Sequence, residues 1–179
     1  MGYQVTDDKT IPMPRKKLLK TAKIEGTKFP HIRARLLDGR PVEFPATARG
    51  KPSLLLIALM QQEPGVIDSW VVPLEREFGS ALDWYRVALL DNQLVPDIID
   101  EGMKRGIAPE KHGRIATSYG PRDKLILKLA IEDGLLLYVY LLDRGGIIRW
   151  WGWGRADARQ LGEITAATRR LMPGKQLRH

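Results

Sequence analysis

No cysteine occurs anywhere in the chain, and that absence removes several classes of chemistry. Disulfide frameworks, thiolate zinc sites and cysteine nucleophiles are excluded. So is thiol–disulfide exchange, which runs on a thiolate that no other side chain replaces. Histidine is scarce too: His31, His112 and His179 lie far apart, none has a second ligand at helical or hairpin spacing, and no metal site is expected. Neither GxxxxGK followed by Ser or Thr nor GxGxxG occurs, so no phosphate cradle is legible, and no GxSxG elbow marks a serine hydrolase. The longest apolar runs are strand-sized, short of the roughly 18 residues that would span a bilayer.

What remains is 179 residues with 44% hydrophobic content, enough for one ordinary domain to bury a core without disulfides or metal. Lys and Arg number 29 against 21 Asp and Glu, and the formal charge of +8 attracts anionic surfaces over long range: nucleic acid, acidic lipid headgroups or an acidic protein. No recognised nucleic-acid-binding motif accompanies the charge, so nucleic acid is not the expected partner.

Residues 1–28 are polar and basic without sustained periodicity, and Pro12 and Pro14 break any helix, which reads as a basic extended or disordered arm, free to dock on a partner. With Asp7, Asp8, little serine and no apolar h-region, the arm is neither a secretory signal nor a transit peptide. The domain is expected over 29–173, with 174–179 as a C-terminal tail. Ile32, Ala34 and Leu36 alternate with Arg33 and Arg35, and Asp38-Gly39 leads to Val42 and Phe44, a β-hairpin. Ser53 to Met60 is a nearly continuous apolar run, as a central strand buried on both faces requires. After Glu63-Pro64-Gly65, Ile67, Trp70, Val71, Leu74 and Phe78 recur at helical spacing, with Pro73 as a kink. A strand over Trp84 to Leu90 and a helix over Pro96 to Arg105, ended by Gly106, complete a βαβα pattern.

Lys111 to Lys124 reads as a long basic connection with a short strand at Ile115 to Ser118. Leu125 to Ile131 is ambiguous between helix and strand and is taken as a short helix. Leu135 to Leu142 and Ile147 to Trp151 pair as a hairpin through Asp143-Arg144-Gly145-Gly146. In the last helix Asp157 and Gln160 stand at capping-box spacing, Leu161, Ile164, Ala167 (or Thr168) and Leu171 form the buried face, and Pro173-Gly174 ends it. The order of elements matches a thioredoxin-like arrangement: an α/β fold with a central mixed β-sheet flanked by helices and a leading N-terminal β-hairpin.

Oxidoreductases of that arrangement place a nucleophile where the first central strand passes into the next helix, whose N-terminus stabilises a thiolate. Here that position reads Gln61-Gln62-Glu63-Pro64-Gly65, and Glu63 reads as a surface or capping acid. They also carry a cis-proline ahead of the strand facing the nucleophile, whereas this chain has no proline between Pro121 and Pro173. Two independent elements of a redox site are missing, and no catalytic residue is assigned.

Trp150, Trp151 and Trp153, with Arg149 before them and Arg155 after, alternate faces along one strand, so that one set enters the core and the other forms an aromatic and cationic surface. Arg149, Trp150, Trp151, Trp153 and Arg155 are therefore the candidate partner-binding residues, because tryptophan beside arginine is typical of interface hot spots. The alternative stays open: two of the three tryptophans pack under the terminal helix and the arginines only decorate them.

Tyr138-Val139-Tyr140-Leu141-Leu142-Asp143, then Ile148-Arg149-Trp150, then Gly152-x-Gly154-x-Ala156 ahead of an acid-capped helix, resembles the mitochondrial ATP synthase assembly factors of the Atp-ten family. The resemblance covers Phe29 to Leu171, including Phe29-Pro30, Leu37-Asp38-Gly39, Gly50-Lys51, Trp70-x-x-Pro73 and Gly102-Met103. Where that family has small residues after the first tryptophan, this chain has Trp151 and Trp153. The resemblance implies a thioredoxin-like, non-enzymatic chaperone without cofactor, on the matrix side of the mitochondrial inner membrane and in peripheral contact with it. Its implied partner is the membrane-sector subunit a of ATP synthase, which it helps to join the subunit c ring. The alternative is a redox-inactive structural subunit of a large organellar complex.

Overall fold

In the computed structural model, which describes residues 22–91 and 95–174, the alternation at Ile32, Ala34 and Leu36 becomes β1 (Ile32–Leu36), turning through Asp38 and Gly39 into β2 (Pro41–Phe44). The arm up to Thr21 and the tail from Lys175 lie outside the described residues. The apolar run forms β3 (Ser53–Ala58), buried at every position. It leads to α1 (Pro64–Phe78), which continues through Pro73 and buries Ile67, Trp70, Val71 and Leu74. Next come β4 (Asp83–Leu90), α2 (Pro96–Gly106), β5 (Ile115–Tyr119) and the short α3 (Asp123–Lys128). The hairpin β6 (Tyr138–Leu142) and β7 (Ile148–Trp153) precedes α4 (Ala158–Leu171), where Asp157 and Gln160 form the capping box read from their spacing.

All seven strands join one sheet in the order β2-β1-β5-β4-β3-β6-β7. β3, β4 and β5 run parallel and every other pairing is antiparallel, giving the expected mixed sheet with its leading hairpin. The long basic connection holds more order than its glycines announce. β5 pairs with both β4 and β1 and buries Ile115, Ala116 and Thr117, so it is the joint between hairpin and parallel core. Two boundaries also shift. α3 ends at Lys128, short of Ile131, and Ala130 takes a positive φ of 54°. β6 starts at Tyr138 because Leu135 sits in a turn whose amide donates to Asp133 Oδ1.

Two apolar layers sandwich the sheet. α1 and α4 cover one face through Leu54, Leu56, Trp70, Leu74, Val139, Leu141 and Ile164. The other face buries Leu55, Ile57, Val87, Tyr138, Tyr140 and Trp151 under α3 and the segment ahead of β1. Residues 22–28, which the sequence reading places in the arm, belong to this second layer. Ala22 and Ile24 pack on the core, Gly26 N donates to Ile148 O at 2.7 Å, and Ile148 N donates to Thr27 O at 2.9 Å.

The β6–β7 turn is organised by Asp143. Its Oδ1 accepts from Gly145 N and Ile147 N at 2.9 and 3.0 Å, and its Oδ2 accepts from Arg149 Nε at 2.8 Å. Partial burial pushes the carboxyl pKa up, but these donors outweigh it and hold the group below the ordinary carboxylate value. A depressed folded-state pKa adds stability that is complete above the unfolded value near 3.8 and fades as pH falls through the folded one. Asp143→Asn is expected to cost about 1 kcal/mol at neutral pH, with the gap to wild type closing in acid below the ordinary carboxylate range. Urea midpoints across pH check both.

Candidate functional site

β7 does not keep a simple two-residue alternation. Leu141 pairs with Trp150 but Leu142 pairs with Ile148, leaving Arg149 as an extra residue. Such a bulge moves the following side chains to opposite faces. Ile148 and Trp151 therefore share one apolar layer while Trp150 enters the other. Trp150 is buried, 5.6 Å from Trp70 ring to ring, and its Nε1 donates to Glu163 Oε2 at 3.2 Å. Trp151 is buried in a parallel stack 6.5 Å from Tyr140, and the half-buried Trp153 leans on Trp151 and Tyr138 at 5.5 and 6.3 Å. Arg149 is paired with Asp143, and Arg155 Nη1 donates to Gly65 O at 3.2 Å. Of the five residues in the ribbon, two tryptophans belong to the core, one on each side of the sheet. Trp153, Arg149 and Arg155 keep exposed surface.

Trp153 and Arg155 lie at the carboxyl end of β7, the same end of the sheet as the carboxyl ends of β3 and β4. Open α/β sheets hold their ligands at that end. The seam there is built by polar bonds. Trp70 Nε1 donates to Gly154 O at 2.7 Å, Ala156 N donates to Ser69 Oγ at 3.0 Å, and Gln62 Nε2 bridges Met60 O and Leu135 O. Glu63 is the N-cap residue of α1 with no side-chain cap bond, and Pro64 takes the first helical position, as suits a residue without an N–H.

Beside that turn a groove of about 430 Å³ opens between α1, α2 and the strand ends. Ala58 of β3 and Ala88 of β4 stand side by side in the parallel register and line it, so methyl groups sit where larger side chains would fill the space. α2 borders the groove with Ile98, Ile99 and Met103, yet none of its residues is buried. Polar bonds anchor it instead: Asp100 Oδ1 accepts from Thr117 Oγ1 at 2.9 Å and from the Tyr119 hydroxyl at 2.8 Å. Burial and that carboxylate raise the Tyr119 pKa well above the ordinary phenol value, keeping it a neutral donor. Met60, Ile98 and Leu135 are 55%, 69% and 67% exposed at this end, an apolar rim of the kind that marks binding surfaces.

Among the described residues, Arg86 is the only charged one lining the groove. Val87 and Leu89 on either side of Ala88 point into the opposite layer, so Arg86 and Ala88 share the groove side of β4. The guanidinium is half-buried, and burial lowers its pKa from the ordinary arginine value. The sequence reading passed over this residue, although a cation in the middle of the apolar strand Trp84 to Leu90 was a legible signal. Of the histidines, His31 pairs with Glu43, His112 Nε2 contacts Ile107 O, and His179 lies outside the described residues.

Compared with known families, residues 9–171 match the model described as ATP10 protein. No curated protein matches in sequence. Among solved structures, yeast Sco1 with copper bound superposes with a TM-score of 0.57 at 16% identity, covering 87% of this chain and 99% of that one. A Chlorobium tepidum structure assigned as thiol:disulfide interchange protein DsbE gives 0.54 at 15% identity, covering 82% and 99%. A peroxiredoxin-like protein from Aquifex aeolicus gives 0.50 at 12% identity, covering 83% and 87%. At such identities the likeness establishes the thioredoxin-like fold and nothing about chemistry.

Proposed function

Because the chain belongs to the ATP10 protein family, which is linked to ATP synthase assembly, we propose that it is a non-enzymatic assembly factor that binds the membrane-sector subunit a and promotes its joining to the subunit c ring. The observation that carries this reading is the apolar groove at the end of the sheet where thioredoxin-like oxidoreductases hold their thiolate. In this chain that end has no thiol, and an open apolar surface stands in its place. The mechanism is masking. An apolar client segment covers Met60, Ile98 and Leu135, with Trp153 and Arg155 as further contacts at the same end, until its permanent partner displaces the chaperone. The family resemblance supports a place on the matrix side of the mitochondrial inner membrane, and the charge of +8 favours peripheral contact with anionic lipid.

The test is purification of tagged full-length protein from its native source, with quantitative mass spectrometry of what accompanies it. Substoichiometric ATP synthase membrane-sector subunits are expected, reduced about tenfold by Ile98→Asn, a change at an exposed position that leaves the core intact. Trp153→Ala should weaken capture less, without unfolding. A fixed-ratio set of unrelated proteins would instead identify a permanent structural subunit and overturn the chaperone reading.

A further inference from the structure

Arg86 carries a cost that no acceptor among the described residues offsets. Among the described residues its buried Nε has no hydrogen-bond acceptor, and no Asp or Glu among them lines the groove. Several other arginines of the fold meet a carboxylate: Arg114 with Asp83, Arg149 with Asp143, Arg169 with Glu77. Burying a guanidinium N–H without an acceptor is destabilising, and methionine, unbranched and of similar reach, carries no such donor.

We propose that the groove binds an apolar polypeptide segment bearing a single carboxylate, which accepts from Arg86 while the segment's apolar side chains cover Met60 and Ile98. This rests on the reading of the groove as the client site. Charge complementarity sets the occupant. A wholly apolar segment would complete the desolvation of Arg86 and leave it unpaired, whereas a segment with several acids would bury carboxylates for which the described lining of the groove holds no second cation. One carboxylate matches the planar fork of one guanidinium. A lone polar anchor in an apolar site also fixes the register of a segment whose other contacts slide.

The experiment uses the full chain and a pair of fluorescent leucine-rich peptides, one with a single central glutamate and its twin with glutamine. Binding is read by anisotropy for wild type, Arg86→Met, and the double variant Met60→Ser, Ile98→Asn. Wild type should bind the glutamate peptide about tenfold or more tightly than its twin. Arg86→Met should erase that preference while still binding the glutamine peptide. Without peptide, Arg86→Met should also melt about 2–4 °C higher, because an unsatisfied cation has been removed. Equal binding of the two peptides by wild type, a preference that survives Arg86→Met, a lower melting point for that variant, or displacement of the glutamate peptide by equimolar inorganic phosphate would each overturn the proposal. If the double variant abolishes binding but no glutamate preference is found, the carboxylate inference fails and the apolar groove stands. If wild type binds neither peptide, or the double variant binds as wild type does, the groove reading falls with it.

Discussion

Trp70→Ala is expected to remove about 3–5 kcal/mol of stability, a large share of the roughly 5–15 kcal/mol that holds a domain of this size together. Trp70 is fully buried, packs against Trp150 at 5.6 Å between ring centres, and donates its indole N–H to Gly154 O at 2.7 Å. Truncation would open a cavity between α1 and the sheet and strand a carbonyl at the end of β7. A second variant separates the two losses. Trp70→Phe keeps most of the packing but leaves Gly154 O without its donor, and should cost about 1–3 kcal/mol. Urea midpoints at constant slope measure both. The same bond fastens α1 to the turn carrying Arg155, so even the milder variant should loosen the groove's border at Pro64 and weaken capture of ATP synthase subunits beyond its effect on folding.

Gly152→Ala is expected to destabilise by about 1–3 kcal/mol, although alanine in place of glycine at a permissive strand position would stabilise. The sign is the diagnostic. A Cβ on Gly152 would lie 2.5 Å from the far edge of the Trp150 ring, and that ring cannot retreat, being held between Trp70 and Glu163. Combining Gly152→Ala with Trp150→Leu should therefore be less damaging than the sum of the single changes, with a coupling of about 0.5–3 kcal/mol. Strict additivity would mean that the glycine is there for its backbone alone. Gly154, two residues on, has that other reason, since its φ of 76° lies where side chains are strained. The Gly152-x-Gly154 pair that carries the family resemblance thus joins two unrelated requirements: room for an indole and a left-handed turn.

Most elements were legible because their periodicities are long and their caps explicit: the unbroken apolar run of β3, the helical spacing of α1, the Asp157–Gln160 box of α4. β5 was harder to place. Five residues between glycines do not reveal that they are buried by strands on both sides, which is a property of the sheet order. The tryptophan ribbon was legible as to residues but not as to facing, since the bulge at Arg149 changes which side of the sheet each ring enters and leaves no compositional trace. The groove was invisible for a different reason. It arises from what is small at Ala58 and Ala88, residues from different strands that become neighbours only through the parallel register. Its charged member, Arg86, could have been noticed as an anomaly within β4.

The hydrogen bonds that Gly26 and Thr27 make to Ile148, and Phe29 to Gly146, have a consequence for solution behaviour. β7 ends the sheet on its side, and an outermost strand rich in tryptophan offers its spare backbone groups to any extended chain, including another copy of itself. The segment ahead of β1 lies across the first part of that margin and occupies those groups. A chain cut just before Phe29 would keep the buried residues of both apolar layers, losing only Ala22 and Ile24 from the margin of one, but would expose a templating edge and tend to polymerise. A protein proposed to shelter another chain's apolar segment is thus guarded against self-aggregation by a few residues of its own N-terminal strap.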